Sequence, residues 1–203
     1  MKTKLTISFL IVVGTLLVFS FSLVIGAEEE PVEFPNRDVE LAVKQQLGKA
    51  TGDVYPSDLE KLKRFKSPIG SKMGDLTWIK YCKNLERLNL VSNEITNITP
   101  LSSLTSLEWL RLQNNNISDL SPLSDLHKLE FVNLRNNNVT DIKPLVENKG
   151  IEGNEKVDGL GKGDTVFIHN NNLNLSEGSE DLQDIQTLLD RGVDVTYYPQ
   201  KEG

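Results

Sequence analysis

The stretch Leu85-Glu86-Arg87-Leu88-Asn89-Leu90-Val91-Ser92-Asn93-Glu94-Ile95-Thr96-Asn97-Ile98-Thr99-Pro100-Leu101 recurs twice more at a step of 22 residues, and that recurrence decides the fold. Leu85, Leu107 and Leu129 share one column, Leu88, Leu110 and Val132 the next, and Leu90, Leu112 and Leu134 a third. Asn93, Asn115 and Asn137 keep the register. So do Ile95, Ile117 and Val139, then Ile98, Leu120 and Ile142, then Leu101, Leu123 and Leu145. Pro100, Pro122 and Pro144 follow the same step. A coil of this length cannot bury its leucines alone, so neighbouring coils must stack into a solenoid.

Each column has a physical job. Leu88 and Leu90 alternate with the period of a β-strand and point to one side. Asn93 falls where the chain must turn, and its carboxamide can satisfy backbone groups there, forming a ladder with Asn115, Asn137 and Asn171. Ile95, Ile98 and Leu101 fill the core from the opposite wall. The proline before the last leucine suits a 3₁₀ or irregular wall, where a missing donor costs little.

The array frays at both ends. Met73, Leu76, Ile79 and Cys82 continue the back-wall columns upstream, but the strand half around Phe65 to Ile69 fits only with a slipped residue. Downstream, Val166, Ile168, Asn171 and Leu173 fit after 12 inserted residues, giving about five coils. Asn36 can cap a helix carrying Val39, Val43 and Leu47 and closed by Gly48, and Ser57-Asp58-Leu59-Glu60 reads as a capping box opening a second. Leu182, Ile185, Leu188 and Leu189 form a helical stripe ending at Gly192, and Val193, Val195 and Tyr197 alternate as a last strand. The expected fold is an α/β solenoid: a short curved right-handed superhelix with a concave parallel β-sheet and a convex 3₁₀ or irregular wall. A helical N-terminal cap (28–62) precedes the repeats (63–173, with a glycine-rich insertion at 146–163). A helix–strand cap (174–203) follows them.

Residues 1–27 read as a separate segment. Lys2 and Lys4 precede an apolar run from Leu5 to Ile25, then Gly26-Ala27 and the acidic Glu28-Glu29-Glu30. A basic start, an apolar centre and a small-residue exit describe a secretory signal peptide cleaved after Ala27. The same run is long enough to stay as a membrane anchor, and both readings deliver the rest outside the cytoplasm. That remainder carries 20 basic and 29 acidic side chains, a net charge of −9. Such a balance repels phosphate backbones and argues against nucleic acid as a partner. One cysteine excludes an internal disulfide.

With the three 22-residue copies, the helical preface 34–62 and the closing blocks Gly163-Asp164-Thr165-Val166 and Gly192-Val193-Asp194-Val195-Thr196-Tyr197, the chain resembles bacterial leucine-rich repeat proteins of the internalin type. The resemblance implies export, a curved solenoid, and recognition of ligands through the concave sheet. It does not imply which partner is bound.

Residues between the inward leucines are expected on the concave face. Arg87, Trp109 and Phe131 form one column, with Thr165 next. Asn89, Arg111, Asn133 and Phe167 form the second, and Val91, Gln113, Arg135 and His169 the third. Aromatics and arginines dominate binding hot spots, so Arg87, Asn89, Trp109, Arg111, Gln113, Phe131, Asn133, Arg135, Phe167 and His169 are the candidate ligand-binding residues. The competing reading is that the rings stack on neighbouring strands and arginine stems. Five strands at about 4.8 Å make a sheet ~20–25 Å wide, narrow for an interface of about 800 Å² per partner. The insertion could therefore add grip, or have no role.

Catalysis is not expected. Gly159-Leu160-Gly161-Lys162-Gly163 lacks the spacing of a phosphate-binding loop, since Gly161-Lys162 is not followed by Ser or Thr. His127 and His169 are the two histidines and lie in different settings, so no triad or metal cluster assembles and no cofactor is expected. Cys82 falls in a leucine column as a buried hydrophobe. Asp119 and Asp141 share a position with Asn97 and are expected to satisfy backbone turns. The N-x-S/T triplets at Asn97, Asn116 and Asn138 arise with the repeat, and a fourth begins at Asn174, so they say little about glycosylation. The expected function is an exported, monomeric recognition module for a protein or peptide. The alternative is an envelope-associated structural protein without a discrete ligand.

Overall fold

The computed structural model describes residues 29–153 and 164–201. The chain divides into two units, residues 1–30 and 31–203, and the fold described here is that of the second. The expected leader or anchor at 1–27 lies outside the described residues. Among those described, no helix is long and apolar enough to cross a membrane.

Six short strands make one parallel sheet in sequence order. They are β1 Arg64–Lys66, β2 Arg87–Asn89, β3 Trp109–Arg111, β4 Phe131–Asn133, β5 Thr165–Phe167 and β6 Asp194–Thr196. Parallel neighbours need a crossover of a dozen or more residues, and each coil's return across the back supplies it. The middle residues Phe65, Leu88, Leu110, Val132, Val166 and Val195 stand in register and turn inward. The leucine and isoleucine columns meet them, and Ile95, Leu101, Ile117, Leu123 and Val139 are fully buried. Each such side chain contributes about 1.5–3 kcal/mol by leaving water.

The back wall is 3₁₀ at Thr77–Tyr81, Thr99–Ser103 and Ser121–Leu123, with proline near the start of the last two. In the fourth copy this segment is instead an α-helix, α3, spanning Lys143–Glu147. In the first coil Trp78 stands in the proline position. It is buried 5.0 Å from Phe65 and 5.4 Å from Phe34 between ring centroids, closing that end with aromatic surface. Each turn is opened by a side-chain oxygen accepting the N–H two residues on: Asp75 from Thr77, Asn97 from Thr99, Asp119 from Ser121 and Asp141 from Lys143. The recurring Asx position is therefore structural.

Two helices precede the repeats, α1 (Arg37–Leu47) and α2 (Pro56–Leu59). Asn36 caps α1 by accepting the Val39 N–H at 3.1 Å, and Gly48 ends it in the left-handed conformation. Gln46 of α1 accepts the Lys66 N–H at 2.9 Å and donates to the Lys66 carbonyl at 3.1 Å, which covers the outer edge of β1. The second helix starts earlier than its sequence signature suggests, with Tyr55 rather than Ser57 at the cap. Pro56 explains this, because a first-turn proline gives up no helical hydrogen bond. Asp58 then accepts the Tyr55 N–H at 3.2 Å.

The slipped residue lies after β1. Phe65 pairs with Leu88 at a step of 23, yet Met73 returns to the 22-residue column of Ile95. The extra residue is absorbed where Gly70 and Lys72 take positive φ. Ile69, expected with the strand, is 73% exposed.

The insertion begins later than residue 146. Asn148 occupies the column of Leu104 and Leu126, and Ile151 that of Leu107 and Leu129; both are buried. The Asn148 carboxamide donates to the carbonyls of Leu123 at 2.7 Å and Leu126 at 3.2 Å, and its oxygen accepts the Gly150 N–H at 2.8 Å. The fourth coil thus runs through Ile151, because polar Asn148 hides in the pattern by bonding backbone where leucine would pack. Residues 154–163, most of the expected loop, lie outside the described residues.

The fourth helix of the fold, α4 (Glu180–Asp190), covers the far end. Ser179 caps it, and Ile185 and Leu188 are buried, while Leu189 falls off the stripe and is partly exposed.

Candidate functional site

With the leucine columns turned inward, the intervening residues form the outer face of the sheet. One column reads Arg64, Arg87, Trp109, Phe131, Thr165 and Asp194, and the next Lys66, Asn89, Arg111, Asn133, Phe167 and Thr196. Beyond them lie Val91, Gln113, Arg135 and His169. This third row is held by N–H donors of Ser92, Asn114 and Asn136 to the carbonyls of Gln113, Arg135 and His169. Every candidate residue is brought to this one face. Arg64, Lys66, Asp194 and Thr196 join them and were missed in the sequence. The slipped register hides the first pair, and the second belongs to a strand with no asparagine after it.

The aromatic residues form a continuous run. Trp109 stacks on Phe131 at 4.9 Å with 21° between planes, Phe131 meets Phe167 at 5.7 Å, and Phe167 meets His169 edge-on at 6.4 Å. The Arg111 guanidinium lies 4.2 Å from the Trp109 centroid and 5.7 Å from that of Phe131. The rings therefore do pack on neighbours and on an arginine, yet Trp109, Phe131 and Phe167 each stay only half-buried.

Polar groups on the face are incompletely satisfied. Arg111 Nε, Gln113 Oε1 and His169 Nδ1 are shut from water with no hydrogen-bond partner, three of the five such side-chain atoms among the described residues. Native proteins hold few such atoms, so three on one face require a reason. Among the described residues no carboxylate lies within ion-pair distance of Arg87, Arg111 or Arg135, although the chain has net charge −7. Burial, and then the Arg135 charge, holds the His169 imidazole below its ordinary pKa, so it is neutral at pH 7.

Two asparagine ladders stiffen the rim. In the inner one, the Asn115 carboxamide donates to the carbonyls of Leu90 at 3.0 Å and Leu112 at 2.8 Å and accepts the N–H groups of Asn93 and Ile95, each at 3.0 Å. Asn137 and Asn171 repeat the two donations and accept one N–H each, from Ile117 and Val139. The outer ladder was not anticipated. Ser92, Asn114, Asn136 and Asn170 take φ between 55° and 60°, a region asparagine tolerates better than most residues. Asn136 donates to Asn114 at 2.6 Å and Asn170 to Asn136 at 2.8 Å. Its signal was the doublet at 114–115, 136–137 and 170–171.

Other chemistry is dispersed. Cys82 is fully buried, which pushes its thiol up to about 12. His127 is exposed on a turn, and no cluster of three metal-ligating side chains occurs among the described residues.

Residues 105–147 match the model of the family "Leucine Rich repeats (2 copies)". Comparison with curated proteins gives no match. Among solved structures the chain is similar to internalin C2 of Listeria monocytogenes, with 22% identity and a TM-score of 0.65, over 83% of this chain and 66% of that one. It is similar to the internalin inlF of the same organism, with 24% identity and a TM-score of 0.56, over 87% and 61%. A leucine-rich repeat protein of Leptospira interrogans gives 22% identity and a TM-score of 0.54, over 68% and 32%. The chain spans less than two thirds of the length of each. Repeat motif, six-stranded parallel sheet and these likenesses agree on the fold: the chain has the α/β leucine-rich repeat solenoid seen in these internalin structures.

Proposed function

We propose that this protein is a recognition module that binds a protein or peptide partner through the concave sheet, acts without catalysis, and works outside the cytoplasm as a monomer. Stacked repeats create extended concave surfaces suited to binding. The observation that carries the reading is the half-buried aromatic run flanked by Arg87, Arg111 and Arg135. Aromatic and arginine side chains in a largely desolvated cluster supply most of the energy of typical interfaces. The basic, apolar opening of residues 1–27 supports export.

Capture from matched envelope and culture-medium fractions tests this. The bait is the full chain, and the control is Trp109→Ala/Arg111→Ala at equal thermal stability. The reading expects a protein retained by the first and lost from the second. Equal recovery from both would remove the concave face as the site. No recovery from either would favour a structural role in the envelope.

A further inference from the structure

We infer that the ligand of the concave face is an acidic peptide segment, with a carboxylate docked on Arg111 and a peptide N–H given to Gln113. This rests on the recognition reading above and names its ligand chemistry.

The argument begins with Arg111. Its guanidinium lies over Trp109 and Phe131, 4.2 and 5.7 Å from their centroids, so the rings restrain where it sits. Rings contact the flat face of a guanidinium and leave its in-plane N–H fork unused. Nε is closed to water and bonds nothing. Nε being closed off, a carboxylate meets the outer Nη end of this half-buried fork, which it matches in bidentate geometry. Among the described residues no carboxylate lies within ion-pair distance of Arg87, Arg111 or Arg135, so a ligand's carboxylate finds these charges open to pairing.

Two residues along the same strand direction, Gln113 Oε1 is also shut away without a donor. Rotation of this half-buried side chain turns the acceptor outward to an incoming N–H, and a carboxylate-bearing peptide has both groups a few ångströms apart. The flat surface of Trp109 is already in use by Phe131 and by the guanidinium, which leaves little platform for a stacked sugar ring. That favours peptide over acidic glycan. Net charge sharpens the choice: on a chain of −7, a patch of three arginines outside any ion pair among the described residues attracts an acidic segment that the rest of the surface repels.

The test is selection from a random 15-residue peptide library on the full chain, with clones then compared on Trp109→Ala, Arg111→Gln and Arg111→Glu at matched thermal stability. Selected peptides should be enriched in Asp and Glu. Their affinity should fall at least tenfold on Arg111→Gln, weaken with rising salt, and be replaced by Lys/Arg-rich peptides when selection is repeated on Arg111→Glu. Peptides that lose binding on Trp109→Ala yet carry no acidic enrichment would overturn this inference and leave the recognition reading standing. Peptides indifferent to all three substitutions would overturn both. Failure to select any peptide, with Arg111-dependent binding of a sulfated oligosaccharide in parallel, would overturn the peptide assignment in favour of a glycan.

Discussion

The side-chain oxygen of Gln200 accepts the backbone N–H of Asn171 at 2.9 Å, the bond that Asn115 makes to Asn93 within the repeats. Gln200 also donates to the Ile168 carbonyl at 3.3 Å, as Asn115 does to Leu90. A residue beyond the last strand thus supplies the next rung of the inner ladder, and Lys201 fastens it by donating to the Asn137 carbonyl and, at 2.8 Å, to Asn138.

Rungs inside the array should matter more than this last one. Asn137→Ala takes one of two carboxamide donors from each of the Leu112 and Leu134 carbonyls and leaves the N–H of Ile117 without its partner in a fully buried place. A loss of about 3 kcal/mol is expected by chemical denaturation. Gln200→Ala, nearer solvent, should cost about 1 kcal/mol. Equal costs would mean that the ladder's middle has no special role.

The two ends should respond to acid in opposite directions. Lys49 at 2.7 Å and Lys61 at 2.9 Å hold the Asp58 carboxyl well below the usual range. Its contribution is present above the unfolded value of about 3.9 and is lost as pH falls toward the lower folded value. At Asp184 burial, and then Asp141 and Glu180, raise the pKa, and its Oδ2 has no partner. The native state then holds that proton more tightly, so stability falls as pH rises from about 3.9 through the folded value. Asp58→Asn should destabilise at pH 7 by about 1 kcal/mol, fading in strong acid. Asp184→Asn should stabilise at pH 7 and become neutral below about pH 4. Melting curves of both variants at pH 3 and pH 7 check the signs.

Gly150 is a packing requirement. A β-carbon there would lie 2.0 Å from the His127 carbonyl oxygen, backbone that cannot swing aside. Gly150→Ala should cost ~3 kcal/mol. Gly74→Ala, with nothing within 4 Å of the added carbon, should stay within about 0.5 kcal/mol and serves as the control.

Cys82 should resist alkylation in the native protein, because burial removes both access and thiolate. Labelling kinetics in rising denaturant should follow global unfolding. Rapid modification without denaturant would contradict the burial.

The sequence made the solenoid legible because each leucine column performs the same task in every coil, so the physics repeats visibly. Departures arose where a different residue does that task by other means. Asn148 replaces a leucine by bonding carbonyls, Trp78 replaces a proline by filling the end of the core, and Gln200 stands in for an asparagine without sharing its spacing. The concave columns were readable from alternation alone. The unpartnered atoms of Arg111, Gln113 and His169 were not, because they depend on how neighbouring strands crowd each side chain.

The central claim is that the concave sheet meets the partner, and site-specific photo-crosslinking in the producing cells addresses it most directly. A photoreactive amino acid replaces Asn133, at the middle of the face, or Ser102, exposed on the opposite wall. The account predicts a discrete higher-mass adduct from position 133, lost when Arg111→Ala is added, and none from position 102. An adduct from position 102 alone, or one from 133 that ignores Arg111, would contradict it.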